Sequence, residues 1–138
     1  MMHRRPPPAC VLITGASGGI GAALARAYAA PGTTLILQGR DAGRLGEVRR
    51  ACEDRGARAD VWVRDLADLD GLPAAVDALA QRHRIDLAIV NAGVTHHIGA
   101  AGEGESWADI EWVMAINARA AMATVSGLLP SMRRRGAG

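Results

Sequence analysis

The sequence predicts an α/β protein with a doubly wound parallel sheet, and three observations support this prediction. Between residues 10 and 93, short apolar runs of strand length alternate with segments of helical periodicity, in the order β-α-β-α-β-α-β. Mostly apolar strands between amphipathic helices are typical of a parallel sheet covered on both faces. Aromatic residues make up only 3% of the chain, so Ala, Leu, Ile and Val must form most of the core.

Length, charge and cysteine content restrict the possible classes of protein. A chain of 138 residues is long enough for one domain, and we expect residues 1–8 to be a disordered leader and residues 9–138 to be that domain. A net charge of +2 gives no support to a nucleic-acid partner. No uninterrupted apolar run approaches bilayer length, and no signal-peptide core follows the basic start, so we expect a cytoplasmic protein without a membrane partner. Cys10 and Cys52 are interpreted as reduced structural thiols, and no metal site is predicted.

Four apolar runs are expected to be the strands. Right-handed crossovers between them favour the strand order 3-2-1-4, with the reversal of order between the first and fourth strands. Ligands of open α/β sheets bind at such a reversal. The runs cover residues 10–13, 33–38, 60–64 and 86–90.

The first three helices are predicted from periodicity and from signals at their ends. One face of the first helix is expected to carry Ile20, Ala23, Leu24, Ala27 and Tyr28. Asp41 is the expected N-cap of the second helix, which buries Leu45, Val48 and Cys52 and ends at Gly56. The third helix accepts Pro73 in its first turn and is expected to bury Leu72, Val76, Leu79 and Ala80.

A long helical segment is predicted from Ser106 to about Arg135. Ser106 is the expected N-cap, with Asp109 as its capping-box partner. Pro130 is expected to bend or split the helix. An inward stripe is predicted from Ile110, Val113, Met114, Ala118, Ala121, Met122, Val125, Leu129 and Met132.

The glycine-rich turn between the first strand and the first helix is the main candidate site. The start of a helix offers unpaired N–H groups and the positive end of the helix dipole to an anion. We expect Gly15 to make the tight turn, Gly19 to allow close approach and Gly21 to let helix and strand pack. The spacing is Gly-x-x-x-Gly-x-Gly, and no Lys-Ser/Thr follows it as in a Walker loop. A tight turn without a ligand is the alternative.

Five features in chain order resemble the short-chain dehydrogenase/reductase family, over residues 9–138. They are the glycine turn, a basic residue after the second strand, Asp-Leu after the third, Asn-Ala-Gly after the fourth, and an Asn in the long helix. The resemblance implies a Rossmann-like dinucleotide-binding domain, and it implies that Asn117 holds a water of the proton relay. The cofactor-binding residues it implies are Gly15, Ser17, Gly18, Gly19, Ile20, Gly21, Arg40, Asp65, Leu66, Asn91, Ala92 and Gly93.

The residues after the second strand favour NADP over NAD. Gly39 stands where an acidic residue would accept hydrogen bonds from the ribose hydroxyls of NAD. The Arg40 guanidinium can pair with a 2′-phosphate, and Ser17 can add a hydroxyl. Family members that prefer NADP often carry a further basic residue at the position of Gly18. A solvated loop arginine is the alternative interpretation of Arg40.

The family's proton-transfer residues have no counterpart in this sequence. The resemblance calls for a Ser and for a Tyr that is followed four positions later by a Lys. The one tyrosine of this chain is Tyr28, and the residue four positions after it is Gly32. The chain contains no lysine. Ser126 and Ser131 lie in the long helix, whereas the family's Ser belongs to a fifth strand after Gly138. The resemblance therefore implies an N-terminal cofactor-binding half, truncated before strand 5 and inactive alone.

The sequence is also compatible with two other functions. The chain can be a non-catalytic nucleotide-binding or regulatory protein, or a basic-tailed interaction domain. His96 and His97 are interpreted as surface-loop residues, since no third metal ligand is evident. Self-association is expected through the long helix and the open edge of the fourth strand.

Overall fold

The computed structural model describes residues 6–96 and 104–138, so residues 1–5 of the expected leader, and His97, lie outside the described residues. Its centre is a parallel four-stranded sheet with the order β3-β2-β1-β4, as predicted. The strands are β1 (Cys10–Ile13), β2 (Thr34–Gly39), β3 (Arg58–Val63) and β4 (Leu87–Ile89). Each differs from its predicted bounds by two residues or fewer at either end.

Helices cover both faces of the sheet, which confirms the doubly wound architecture. On one face, Val11 and Ile13 of β1 pack in one apolar cluster with α1 (Gly19–Tyr28) and α2 (Ala42–Glu53). On the other face, Cys10 and Leu12 of β1 pack in a second cluster. That second cluster includes side chains from α3 (Leu72–Arg82) and from the last helical segment, which is described below. Alternate side chains of a strand point to opposite faces, so β1 contributes to both cores.

Several expected end signals of the helices are present. The Asp41 side chain accepts a hydrogen bond of 3.0 Å from the Arg44 N–H at the start of α2. Gly56 has a φ of +86° just beyond that helix, a conformation that glycine adopts without strain. Pro73 lies in the first turn of α3, and the four predicted inward residues of α3 are all buried.

The prediction for the inner face of α1 is wrong. Ile20 is 73% exposed, and Ala23 and Ala27 are exposed as well. Gly21, Ala22 and Ala25 are the buried residues, with Leu24 and Tyr28 packed at the edge of the cluster. The helix starts directly after the glycine turn and lies so close to the sheet that only small side chains fit beneath it.

The last helical segment runs without a break from Trp107 to Arg135 in three parts. These are α4 (Trp107–Met114), a π-helical stretch (Ala115–Ala120) and α5 (Ala121–Arg135). Pro130 lies inside α5, so the helix is not split there. The carbonyl that loses its N–H partner to Pro130 belongs to Ser126, which is exposed and can bond to water.

The predicted inward stripe of this segment is also wrong, because much of it faces outward. Met114, Met122, Val125 and Leu129 are exposed, and we call these four residues the outer stripe. The face of α5 that packs on α3 carries mostly smaller residues, namely Thr124, Gly127, Leu128 and Ser131. A Cβ on Gly127 would lie 2.7 Å from Cβ of Val76, so the two helices approach too closely for large side chains.

By length and composition, Trp107–Arg135 is the one helical segment among the described residues that could cross a membrane. Core helices of soluble proteins share this property. The segment packs along α3 and contributes Ala120 and Leu128 to the second apolar cluster.

Candidate functional site

A cleft of about 350 Å³ opens at the carboxyl ends of the strands, where the order of β2, β1 and β4 reverses. We call it the strand-end cleft. Its volume is in the range of ordinary small-molecule sites. It is lined by Gly15, Ser17, Gly18, Gly19, Gln38, Gly39, Arg40, Arg44, Asp65, Leu66, Ala92, Gly93, Val94 and Ile116.

The glycine turn forms one wall of the cleft, and the structure shows why glycine is needed there. Gly15 and Gly19 have φ values of +67° and +53°. A Cβ on Gly15 would lie 2.9 Å from Cα of Ala92, and a Cβ on Gly21 would overlap the carbonyl oxygen of Gly15. Gly21 therefore lies behind the cleft wall, where it lets α1 pack against the turn.

The amino end of α1 is open to the cleft. Its N-cap, Gly18, is extended and has no side chain to bond the first amides, and the first turn carries no acidic residue. The first N–H groups of a helix have no partner within the helix, and they lie at the positive end of its dipole. This end of α1 is therefore suited to an anion.

Asn91 and Thr14 hold the turn in place from behind. The Asn91 amide donates to the main-chain oxygens of Thr14 at 3.2 Å and Gly15 at 3.4 Å. The buried Thr14 hydroxyl accepts a hydrogen bond of 3.0 Å from the Ala92 N–H. These bonds join the end of β1 to the end of β4 and place Ala92 and Gly93 beside the glycines.

Gln38 was not predicted as a site residue, although it links three strand ends. Its side-chain oxygen accepts from the Gly15 N–H at 3.0 Å, and its amide donates to the Arg64 carbonyl at 2.7 Å. The residue is only 2% exposed. A polar residue at the end of an apolar run was the only sequence signal, because its partners lie 23 and 26 residues away.

Two arginines lie at the end of β2. Arg40, which the sequence analysis names as a cofactor-binding residue, lines the cleft, and Arg44 in the first turn of α2 lines it too. Arg44 is not among the predicted site residues, since its position within α2 gives no sequence signal for a binding role. Its guanidinium lies 3.7 Å from the Asp41 carboxylate, and both side chains are mostly exposed.

Asp65 and Leu66 line the cleft after β3. One carboxylate oxygen of Asp65 accepts a hydrogen bond of 2.9 Å from the Ala67 N–H, which fixes the turn. Leu66 is 5% exposed and belongs to the second apolar cluster. A carboxylate edge and an apolar surface therefore stand side by side at this end of the cleft.

Asn117 lies in the π-helical stretch, and its side chain forms hydrogen bonds with the segment that follows β4. Its side-chain oxygen accepts from the Val94 N–H and its amide donates to the Val94 oxygen, both at 2.8 Å. Asn117 does not line the cleft, but its neighbour Ile116 does. Single π turns in helices are frequent at functional sites.

The structure brings most of the predicted site residues to one cleft. Four of them do not line it, namely Ile20, Gly21, Asn91 and Asn117. Gly21, Asn91 and Asn117 support its walls, whereas Ile20 points to solvent. The single tyrosine, Tyr28, packs at the edge of the first apolar cluster, away from the cleft lining.

His96 pairs with the capping box of α4. Its Nε2 lies 3.3 Å from a carboxylate oxygen of Asp109, and Asp109 and Ser106 form the predicted capping box. Hydrogen bonds from the Ser106 hydroxyl and main chain lower the pKa of Asp109. In the part of the chain that the structure describes, no group of three or more metal-ligating side chains is assembled.

Comparison with known proteins gives a family-model match over nearly the whole chain. The model described as short chain dehydrogenase matches residues 9–138. A fatty acyl-CoA reductase of Acinetobacter baylyi is 35% identical over 129 residues, covering 90% of this chain and 42% of the relative. The chain thus spans less than half the length of this relative.

Solved structures of short-chain dehydrogenases also resemble this chain. A metagenomic short-chain oxidoreductase in complex with NADP superposes with a TM-score of 0.84 at 29% identity, over 94% of this chain and 58% of that one. A short-chain dehydrogenase from Sphingobium yanoikuyae in complex with NADPH gives 0.81 at 32% identity, over 94% and 50%.

Proposed function

We propose that residues 9–138 form an NADP(H)-binding domain of an oxidoreductase, because this chain belongs to the short-chain dehydrogenase/reductase family. The strand-end cleft carries the proposal. It joins the open amino end of α1 to two arginines at the end of β2, in one concave site. Its position at the reversal of strand order is where dinucleotides bind in such sheets.

The residues present fit a dinucleotide. The pyrophosphate is suited to the amides at Gly18 and Gly19, which line the cleft and carry no side chain. Asp65 and Leu66 offer a hydrogen-bond acceptor and an apolar contact to the adenine ring. When bound, the nicotinamide supplies a hydride for carbonyl reduction or accepts one from an alcohol.

The preference for NADP over NAD rests on the end of β2. Arg40 and Arg44 provide two guanidinium groups for a 2′-phosphate, and such forks match phosphate oxygens well. Gly39 has no carboxylate for the ribose hydroxyls of NAD. A Cβ at Gly39 would lie 3.1 Å from Leu45 and 3.2 Å from Ser17, so the space for an acidic side chain is tight. The NADP complexes of the neighbouring structures support the same choice.

A titration of the chain with NADPH and NADH tests the proposal. We expect saturable NADPH binding that Arg40→Ala weakens at least tenfold, while NADH binding changes little. Arg50→Ala, an exposed arginine on α2 outside the cleft lining, is the matched control and should bind like the wild type. Absence of saturable binding, or equal effects of the two substitutions, would contradict it.

We also propose that the 138-residue chain does not transfer hydride by itself. It contains no lysine, and Tyr28 packs at the edge of the first apolar cluster instead of lining the cleft. Asn117 is the one residue of the family's relay that we assign here. Measurable oxidation of NADPH with carbonyl substrates by the purified chain would disprove this. If NADPH binds and the reading frame beyond codon 138 encodes no Ser and Tyr-x-x-x-Lys, a non-catalytic nucleotide-binding or regulatory role is favoured.

We also propose that the protein is cytoplasmic and that it self-associates. The outer stripe and the free edge of β4 leave apolar groups open to another molecule. We assign no nucleic-acid or membrane partner to it, and the nicotinamide dinucleotide is its small-molecule partner.

A further inference from the structure

A second pocket lies at the opposite end of the sheet from the strand-end cleft. It measures about 430 Å³ and lies between the carboxyl ends of α3 and α5. We call it the arginine pocket. It is lined by Ala80, Gln81, Arg82, Arg84, Ser131, Arg134 and Arg135.

We propose that the arginine pocket binds a small soluble polyphosphate, such as the diphosphate or triphosphate group of a nucleotide. Four guanidinium groups line one concavity, and no carboxylate is among its lining residues. Arginine forks pair with phosphate oxygens through two parallel hydrogen bonds, and several forks together suit a ligand with more than one phosphate. This inference is independent of the dinucleotide site.

One of the four arginines is already fixed in position. The Arg135 guanidinium donates to the Ser131 hydroxyl and to the Ile85 carbonyl, each at 2.6 Å. The Ser131 hydroxyl donates in turn to the Ala80 carbonyl at 3.4 Å. The Nε of Arg135 is buried and has no hydrogen-bond partner among the described residues. The base of the pocket is thus prearranged, which lowers the entropy that binding would cost.

The other three arginines are available to a ligand. Arg82, Arg84 and Arg134 are exposed, and within the described residues they take part in no ion pair. Two carboxylates near these arginines in the chain already accept hydrogen bonds. Asp77 accepts one of 2.7 Å from Gln81, which lines the pocket, and Asp86 accepts from the Ala9 and Cys10 amides.

The carboxyl ends of helices attract basic residues in general, so position alone explains part of this cluster. It does not explain Arg84, which lies beyond the end of α3. It also does not explain why two helices place their arginines around one pocket. The size of the pocket favours a small ligand over a duplex or a membrane surface, which would need a broader basic face.

Calorimetric titration with inorganic pyrophosphate and tripolyphosphate tests the proposal, with NADPH present to occupy the strand-end cleft. We expect saturable binding, tighter for tripolyphosphate, that weakens at least tenfold in the triple variant Arg82→Gln, Arg84→Gln, Arg134→Gln. The matched control is Arg26→Gln, Arg50→Gln, Arg55→Gln, which removes the same charge near the carboxyl ends of α1 and α2. The control should change affinity less than twofold.

Three results would overturn the proposal. The first is equal weakening in the control, which would indicate a general effect of net charge. The second is absence of saturable binding by the wild type while its melting curve is normal. The third is retention on vesicles with anionic lipid, or on duplex DNA, that tripolyphosphate does not displace, because the patch would then serve a macromolecular surface. Arg40→Ala is expected to leave tripolyphosphate binding unchanged.

Discussion

Gly18, Gly19 and Gly21 follow one another within four positions, and the structure gives each a different tolerance to a side chain. Gly18 is extended with open space around its Cα. Gly19 also faces open space, but its φ of +53° disfavours any other residue. Gly21 has the main-chain oxygen of Gly15 and the amide of Asn91 directly against it. The three glycines are therefore not equivalent.

Gly21→Ala is expected to lower the free energy of unfolding by about 1–3 kcal/mol, because the added methyl group must push α1 away from the turn. NADPH binding should weaken with it. Urea denaturation measures the first effect and a fluorescence titration the second. Gly18→Ala adds the same methyl group where no atom lies within 4 Å and should leave stability nearly unchanged. Equal losses of stability at both positions would disagree with this geometry.

At the scale of the helix, α4 depends on its first turn. The Ser106 side chain bonds to the Asp109 N–H, and the Asp109 carboxylate bonds back to the Ser106 N–H at 3.0 Å. No residue of α4 is buried, so packing contributes little to this helix. The capping box is the main local support for α4.

Ser106→Ala is expected to cost about 1 kcal/mol of stability at pH 7. Asp109→Asn should cost less, and its effect should depend on pH. The pKa of Asp109 is lowered in the folded state, so its contribution is present above the ordinary value near 3.9 and is lost as pH falls through the lowered value. Thermal unfolding by circular dichroism should show wild type and Asp109→Asn converging in acid. Glu47→Gln on α2 is the control. A difference in stability between wild type and Asp109→Asn that stays the same at low pH would contradict the prediction.

Comparison of α3 with α5 shows what the sequence can and cannot predict. The inner face of α3 follows from periodicity, because its large apolar residues Leu72, Val76 and Leu79 recur at i, i+4 and i+7. The α5 segment is apolar on more than one face, so periodicity cannot choose between Met122 and Thr124. The choice depends on how closely α3 approaches at Gly127, and this distance is set by the tertiary structure. The same limit applies to Gln38, whose partners come from β1 and from beyond β3.

At the scale of the whole molecule, an exposed apolar surface lies beside the open edge of the sheet. Met122 is 72% exposed, and Val125 and Leu129 are also exposed. They line a concave surface with Val90, next to the free edge of β4. Contiguous exposed apolar patches of this kind are typical of interaction surfaces.

Sedimentation velocity is expected to show the wild-type chain as an oligomer at micromolar concentration. Met122→Glu with Leu129→Glu should shift it toward the monomer, because a carboxylate buried in an apolar contact is strongly disfavoured. Val63→Glu places one carboxylate at an exposed apolar position on β3, the other edge strand, and should not change the sedimentation. A monomeric wild type would rule out the outer stripe as a self-association surface.

Each of the four strands delivers at least one residue to the strand-end cleft, from Gly15 after β1 to Gly93 after β4. The cleft therefore loses its shape when any one of the strands unfolds. Cofactor occupancy and cooperative folding are therefore thermodynamically linked, and NADPH at 100 times its dissociation constant would raise the unfolding free energy by about 2.7 kcal/mol. The melting temperature of the chain can thus serve as a gauge of nucleotide concentration.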